Sequence, residues 1–190
     1  MTIYRWLIVA LWLAFLLYWA SSAIGAKRSV GGRAWRREAG LRLILIMLVV
    51  LVLHVPATRH VLRIAEAHEA SGALAGIVGV TVCALGIGLA ILARFHLGRN
   101  WGMPMSRKDD PELVTTGPYA VIRHPIYTGM LLAMLGSAIA VSVLWGLPLL
   151  LFGAYFVYSA VREERLMTQQ FPQEYPAYRK RTWMLLPFLL

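Results

Sequence analysis

Charge is scarce in this chain, and negative charge is scarcest. Nine Asp and Glu stand against nineteen Lys and Arg, and charged residues fill only 15% of 190 positions. Soluble domains carry about 25% charged residues and roughly 45–50% apolar ones, whereas this chain is 59% hydrophobic. That shortage excludes a soluble globular domain and makes the protein integral to a membrane. Cysteine is nearly absent too. Cys83 is the only one and lies within an apolar run, which excludes an intrachain disulfide and a cysteine metal cluster. No G-x-G-x-x-G follows a strand, so a soluble-type dinucleotide or nucleoside site is missing. No internal repeat is visible, and with it goes the inverted-repeat signature of many secondary transporters.

What charge there is falls in a pattern. A net +10 would suggest nucleic acid in a soluble protein, but here the basic residues cluster in particular loops between apolar runs. Membrane lipids with anionic headgroups are the expected partners, and nucleic acid is not. The first run, from about Ile3 to Ile24, is long enough to cross a core of about 30 Å at roughly 1.5 Å per residue. A signal peptide has an apolar region of only about 7–15 residues, and this run is longer and holds Trp6, Trp12, Tyr18 and Trp19. It reads as a retained transmembrane helix.

Lys27, Arg28, Arg33, Arg36 and Arg37 crowd the next loop against Glu38, which assigns that loop to the cytoplasm by the positive-inside rule. A second span runs from about Leu41 to Val55, closed by Pro56, into a loop where Arg59 and Arg63 are balanced by Glu66 and Glu69. The third span, about Ala73 to Ala93, contains Gly76, Gly79, Gly86 and Gly88, small residues that let helices approach closely. Arg94, Arg99, Arg107 and Lys108 then return the chain to the cytoplasm. The apolar run from Gly129 to Val161 is too long for one span and short for two. Gly146 and Pro148 within it are turn formers, so it reads as a tight helical hairpin.

The expected fold is therefore all-α: one integral-membrane domain over 1–190 with about five transmembrane helices. Residues 1–93 supply three of them, and 94–190 supply a loop, the hairpin and a C-terminal tail. An outside N-terminus then places the C-terminus, with Arg179, Lys180 and Arg181, in the cytoplasm. The expected location is a bacterial inner membrane.

Polar residues gather at the two ends of that hairpin. Leu113-Val114-Thr115-Thr116-Gly117-Pro118-Tyr119 is followed by Arg123-His124-Pro125-Ile126-Tyr127, and the far arm ends in Glu163-Glu164. Ionisable groups at a bilayer edge are expensive and usually functional. Spans one to three hold almost none at mid-membrane, which argues against a transporter, although a small transporter or a non-catalytic subunit is the alternative of another class.

These motifs, with Leu97-Gly98, Trp101, Gly129, Leu166, Phe171, Tyr175, Tyr178, Arg181 and Pro187, resemble the isoprenylcysteine carboxyl methyltransferase family. That family belongs to a wider set of phospholipid-methyltransferase-like membrane enzymes. The resemblance covers roughly the C-terminal half and implies methyl transfer from S-adenosylmethionine to a lipophilic or lipid-modified acceptor. A prenylcysteine-type carboxylate is the leading acceptor, and a phospholipid amine is the alternative. It implies cofactor contacts for His124, Tyr127, Glu163 and Glu164, with Pro125 in the same segment and Tyr178 nearby. Arg181 is implied as the group that orients the acceptor's carboxylate.

The side chains suit those roles. Tyr119 and Tyr127 offer aromatic faces to a ring or a sulfonium. Arg123 or His124 can engage a carboxylate, and Glu163 or Glu164 can accept from an ammonium or a ribose. Methyl transfer to a carboxylate oxygen needs alignment and desolvation, and arginine can grip a carboxylate bidentately. An amine acceptor would need a base such as Glu164. Plainer readings stand beside these: interfacial anchoring for the tyrosines, a headgroup contact for Arg123, a helix-end cap for His124, and a solvated helix end for Glu163-Glu164. His54, His60, His68 and His96 lack convergent ligand spacing and read as structural or interfacial, so no metal site is expected. Two departures from the family stand out: Lys108-Asp109-Asp110-Pro111-Glu112 where many relatives carry a histidine, and Arg181-Thr182-Trp183 where Arg-Val-Pro is common.

Overall fold

The computed structural model describes residues 3–23, 29–30, 72–98, 107–108 and 112–186, with isolated positions 40, 44 and 47. The second span expected from sequence, apart from positions 44 and 47, lies outside the described residues, as do Pro187, His54, His60 and His68. Five α-helices are described: α1 (Ile3–Ala23), α2 (Ala73–Leu97), α3 (Pro125–Ala140), α4 (Gly146–Gln170) and α5 (Tyr175–Lys180). Short 3-10 turns at Gly117–Ala120 and Val143–Trp145 precede α3 and α4. The protein is an all-α membrane protein. Ile3–Ser22, Ala73–Leu97 and Val143–Gln170 are long and apolar enough to cross a bilayer. At 16 residues α3 is shorter, reaching about 24 Å at a rise of about 1.5 Å per residue.

The hairpin forms with its corner slightly earlier than the turn formers suggest. α3 ends at Ala140, Ser142 accepts from the Leu144 N–H at 3.4 Å, and Gly146 opens α4. Pro148 therefore sits in the first turn of a helix, where a missing N–H costs nothing.

Glycine spacing explains how α2 and α3 meet. Gly79 and Gly86 are seven residues apart on one helix, and Gly129 and Gly136 on the other. A Cβ on Gly86 would fall 2.5 Å from Gly129 O and from Ala133 N, and one on Gly79 would fall 2.6 Å from Gly136 O. The two backbones touch in antiparallel register, the close approach that small residues permit in membranes. Gly88, on the same helix, has nothing within 4 Å. Gly86→Leu is thus expected to lower the thermal midpoint in detergent, through overpacking of about 1–3 kcal/mol, whereas Gly88→Leu leaves it nearly unchanged.

α1 packs parallel to α2. The Tyr4 ring lies against Gly76 near one end, and Arg94 donates to Ser22 O near the other. A two-residue antiparallel ladder, Ser29–Val30 with Arg107–Lys108, also joins the segments following α1 and α2. Trp12 ties α1 to α3 and to the turn before α4. Its Nε1 donates to Ser137 Oγ at 3.0 Å, and its ring stacks on Trp145 at 5.7 Å. The helix directions bring the C-terminal ends of α2 and α4 and the N-terminal end of α3 to one side, where the polar cassette lies.

Candidate active site

Gly117 docks the cassette on α2. Its φ of +58° suits glycine, and the His96 ring occupies the space a Cβ would take. His96 is thus a packing partner. The chain then makes the 3-10 turn Gly117–Ala120 and leaves helical geometry before Pro125, His124 standing at φ −123° and ψ 57°, because a residue before proline is turned away from the helical region. That conformation frees two N–H groups that a helix would have used.

The C-terminal segment takes them up. Arg123 N donates to Trp183 O at 2.8 Å, His124 N donates to Met184 O at 3.1 Å, and Trp183 N donates to Val121 O at 2.9 Å. Arg123 Nη1 donates to Thr182 O, and Thr128 Oγ1 donates to Leu185 O at 2.5 Å. Four successive carbonyls, from residue 182 to 185, are thus accepted onto the cassette like a strap. The Trp183 departure has a use here, since a proline at that position would lack the N–H that reaches Val121.

Arg123 also donates through Nε to Glu164 Oε1 at 2.6 Å, and through Nη1 to Arg179 O at 3.2 Å near the end of α5. Glu164 Oε2 faces Arg179 Nε at 3.1 Å. The Arg123 and Glu164 side chains are only 8% and 6% exposed, while Arg179 is 61% exposed. The neighbouring glutamate has different partners: Glu163 Oε1 accepts from Tyr127 OH at 2.5 Å, and its Oε2 lies 3.5 Å from His124 Nδ1. His124 stacks on Tyr127 at 5.5 Å, and Tyr127 on Phe156 at 4.5 Å. Phe156 precedes Glu163 by seven residues, two turns along the same face of α4.

Glu163 and Glu164 therefore both enter the cluster, each with its own partners. His124 Nε2 is buried without a hydrogen-bond partner and stands 3.7 Å from Glu164 Oε1. Burial alone would lower the His124 pKa, but contacts with Glu163 and Glu164 outweigh it and raise the value above 6.5. A raised folded-state value means that the stabilisation from protonated His124 is fully present below about pH 6.5. It is lost as pH rises through the folded value. The thermal-midpoint gap between wild type and His124→Gln is expected to be widest on the acid side and to shrink with rising pH. A gap constant with pH would contradict the pairing.

Tyr119 and Tyr178 are joined, Tyr178 OH donating to Tyr119 O at 2.7 Å. Burial pushes the Tyr178 phenol up to about 12, against the partial offset of Arg123 and Arg181. Burial, with the Glu163 charge, also raises Tyr119. Both remain neutral donors at physiological pH. Pro125, fully buried, opens α3. Arg181 stands apart: it is exposed, with its guanidinium 6.0 Å from the Tyr178 ring centre. Sequence reading missed Arg179, Thr182 and Thr128. Arg179 served there only as a topology marker, and the other two act on backbone carbonyls, which leave no signature in a residue pattern.

Beside Glu164 lies a cavity of about 230 Å³ lined by Val161, Glu164, Arg165, Thr168, Arg179 and Met184. Among the described residues no group of three or more His, Cys, Asp and Glu is arranged to hold a metal ion.

A cluster of arginine, histidine, tyrosine and paired glutamates thus closes one end of the apolar helical hairpin. The family of phospholipid methyltransferases matches this chain over residues 74–174, more than half its length, and the chain belongs to that family. Among curated proteins it is 34% identical over 113 residues to the cobalt-zinc-cadmium resistance protein CzcN of Cupriavidus metallidurans, covering 58% of this chain and 50% of CzcN. It is 29% identical over 113 residues to the nickel-cobalt-cadmium resistance protein NccN of Alcaligenes xylosoxydans xylosoxydans, covering 58% of this chain and 53% of NccN. The chain spans about half the length of the curated relatives it matches. The family match ends before the strap at 182–185.

Proposed function

We propose that this protein transfers a methyl group from S-adenosylmethionine to a lipophilic acceptor in the bilayer, and that the acceptor atom is a carboxylate oxygen. The donor set suits the charged end of the cofactor. His124, with its unpartnered buried Nε2, can meet a carboxylate, and Glu163 can meet an ammonium or a ribose hydroxyl. Tyr119 and Tyr127 supply aromatic surroundings, with Arg123, Pro125, Glu164 and Tyr178 framing them. When bound, S-adenosylmethionine supplies an electrophilic methyl on a sulfonium. The chain's residues then orient the acceptor, exclude water and hold opposing charge in place.

One observation favours a carboxylate over an amine. Both candidate carboxylate bases are already engaged: Glu163 accepts from Tyr127, and Glu164 faces Arg123 and Arg179. A carboxylate oxygen needs no proton removed before attack, whereas an ammonium does. Such a site offers orientation and desolvation, which are what a one-step displacement requires.

The site then faces the cytoplasm of a bacterial inner membrane, with the N-terminus outside. The basic loops and the parallel course of α1 and α2 support that topology. The relatives' names concern resistance to metal cations. Esterifying a lipophilic carboxylate removes an anionic oxygen ligand for divalent cations at the membrane surface, a route by which methyl transfer would serve such a setting.

Purified protein given methyl-labelled S-adenosylmethionine and a panel of prenylcysteines, fatty acids and aminophospholipids is expected to label a carboxylate lipid. Mild alkali should release the label as methanol. Label that survives alkali on a headgroup amine would move the reaction to N-methylation, and no transfer to any lipid would refute the lipophilic acceptor.

A further inference from the structure

We propose that the cavity beside Glu164 receives the anionic group of a lipophilic ligand, the acceptor in the methyl-transfer reading on which this rests, held by Arg165 and Arg179. Val161, Glu164, Arg165 and Thr168 follow i, i+3, i+4, i+7 along α4 and so form one stripe of that helix. Arg179 from α5 and Met184 from the strap face them across the cavity. At about 230 Å³, the space falls below the roughly 300–1,000 Å³ of a site that encloses a whole small molecule. It suits a headgroup whose hydrocarbon continues into the bilayer.

The charge balance selects the sign. Two guanidiniums, those of Arg165 and Arg179, line the cavity beside one carboxylate, Glu164, whose charge Arg123 and Arg179 already face, while Glu163 is turned to Tyr127 and His124. Arg179 reaches Glu164 through Nε, one of five N–H donors in a guanidinium. Arg165 is exposed on the cavity wall. A carboxylate or phosphate completes this surplus of donors, while a cationic headgroup meets like charge. Val161 and Met184 supply the apolar side, with Val161 one turn nearer the membrane-spanning part of α4. Arg181 does not line the cavity, so the anion-holding role that family resemblance gives to Arg181 falls to Arg165 and Arg179.

Native mass spectrometry of the detergent-purified protein, titrated with oleate, methyl oleate or phosphatidic acid, tests this. Oleate and its methyl ester differ by one methyl group and by the charge under test. Wild type is expected to bind oleate at least tenfold more tightly than methyl oleate. Arg165→Gln with Arg179→Gln is expected to erase that preference. Arg162→Gln with Lys180→Gln, an equal loss of charge at exposed positions off the cavity, should keep it. Displacement of oleate by phosphatidic acid would extend the site to phosphates, and failure to displace would restrict it to carboxylates. Arg165→Gln alone, at an exposed position, keeps the test available should the double variant not fold.

Equal binding of oleate and methyl oleate by wild type, or an undiminished preference in the Arg165/Arg179 variant, would overturn the proposal. S-adenosylmethionine binding measured on the same preparations separates the two readings. Loss of the oleate preference with cofactor binding intact isolates the anion site, whereas oleate selectivity without cofactor binding leaves the anion site standing and removes the methyl-transfer reading.

Discussion

Glu164→Ala is expected to abolish methyl transfer and to destabilise the protein by about 3–5 kcal/mol, the usual result of removing one partner from a buried ion pair. The side chain is 6% exposed and faces Arg123 Nε at 2.6 Å and Arg179 Nε at 3.1 Å. Alanine leaves the buried Arg123 without a counter-charge and releases Arg179 from the cavity wall. Glu164→Gln keeps an acceptor for Arg123 and should retain most of the stability. Its activity should still fall, on the order of 10²-fold, as when a preorganised electrostatic contact is removed. Thermal midpoints in detergent and labelled-methyl transfer, measured together on both variants, separate the two effects. A fully stable and active Glu164→Ala protein would refute the role given to this carboxylate.

Arg123→Ala should act at a distance from its own position, by loosening the strap. The guanidinium donates to Glu164 Oε1, Thr182 O and Arg179 O, and hydrogen bonds from a charged donor are worth about 1.5–3 kcal/mol each. Loss of two or three of them is expected to raise local opening of 175–186 by tenfold or more. Trypsin cleaves after Arg179, Lys180 and Arg181, so proteolysis at these sites reports the opening directly. Arg123→Lys should rescue only part of the protection, because a point-like ammonium cannot reproduce the planar fork. Unchanged cleavage kinetics in Arg123→Ala would show that the strap is held without it. Because His124 N donates to Met184 O, the same variant should also weaken cofactor binding.

How far this could be read beforehand depended on the kind of signal. Hydropathy placed α1, α2 and the hairpin, because lipid imposes a length on every span. The glycines of the third span announced a close helix approach, and the structure gives each of Gly79 and Gly86 its partner in Gly136 and Gly129. The Arg-His-Pro-x-Tyr segment and Glu163-Glu164 could be placed on one face from the hairpin alone. Which partner each glutamate takes could not, since adjacent residues on a helix point about 100° apart and either could have faced inward. The strap was illegible for a different reason. Its contacts run from side chains and N–H groups to carbonyls at 182–185, and every residue type carries a carbonyl. Arg179 was hidden among three consecutive basic residues, whose commonest meaning in a membrane protein is topology.

The central claim, a cofactor site built by the cassette and the paired glutamates, is tested most directly by calorimetric titration of the detergent-purified protein with S-adenosylmethionine. Wild type is expected to bind one equivalent, with binding lost or weakened at least tenfold in His124→Ala and Glu164→Ala. Arg162→Gln, an exposed residue of the same helix, should bind as wild type does. No heat of binding from a wild-type protein shown to be folded by its thermal transition would contradict the account.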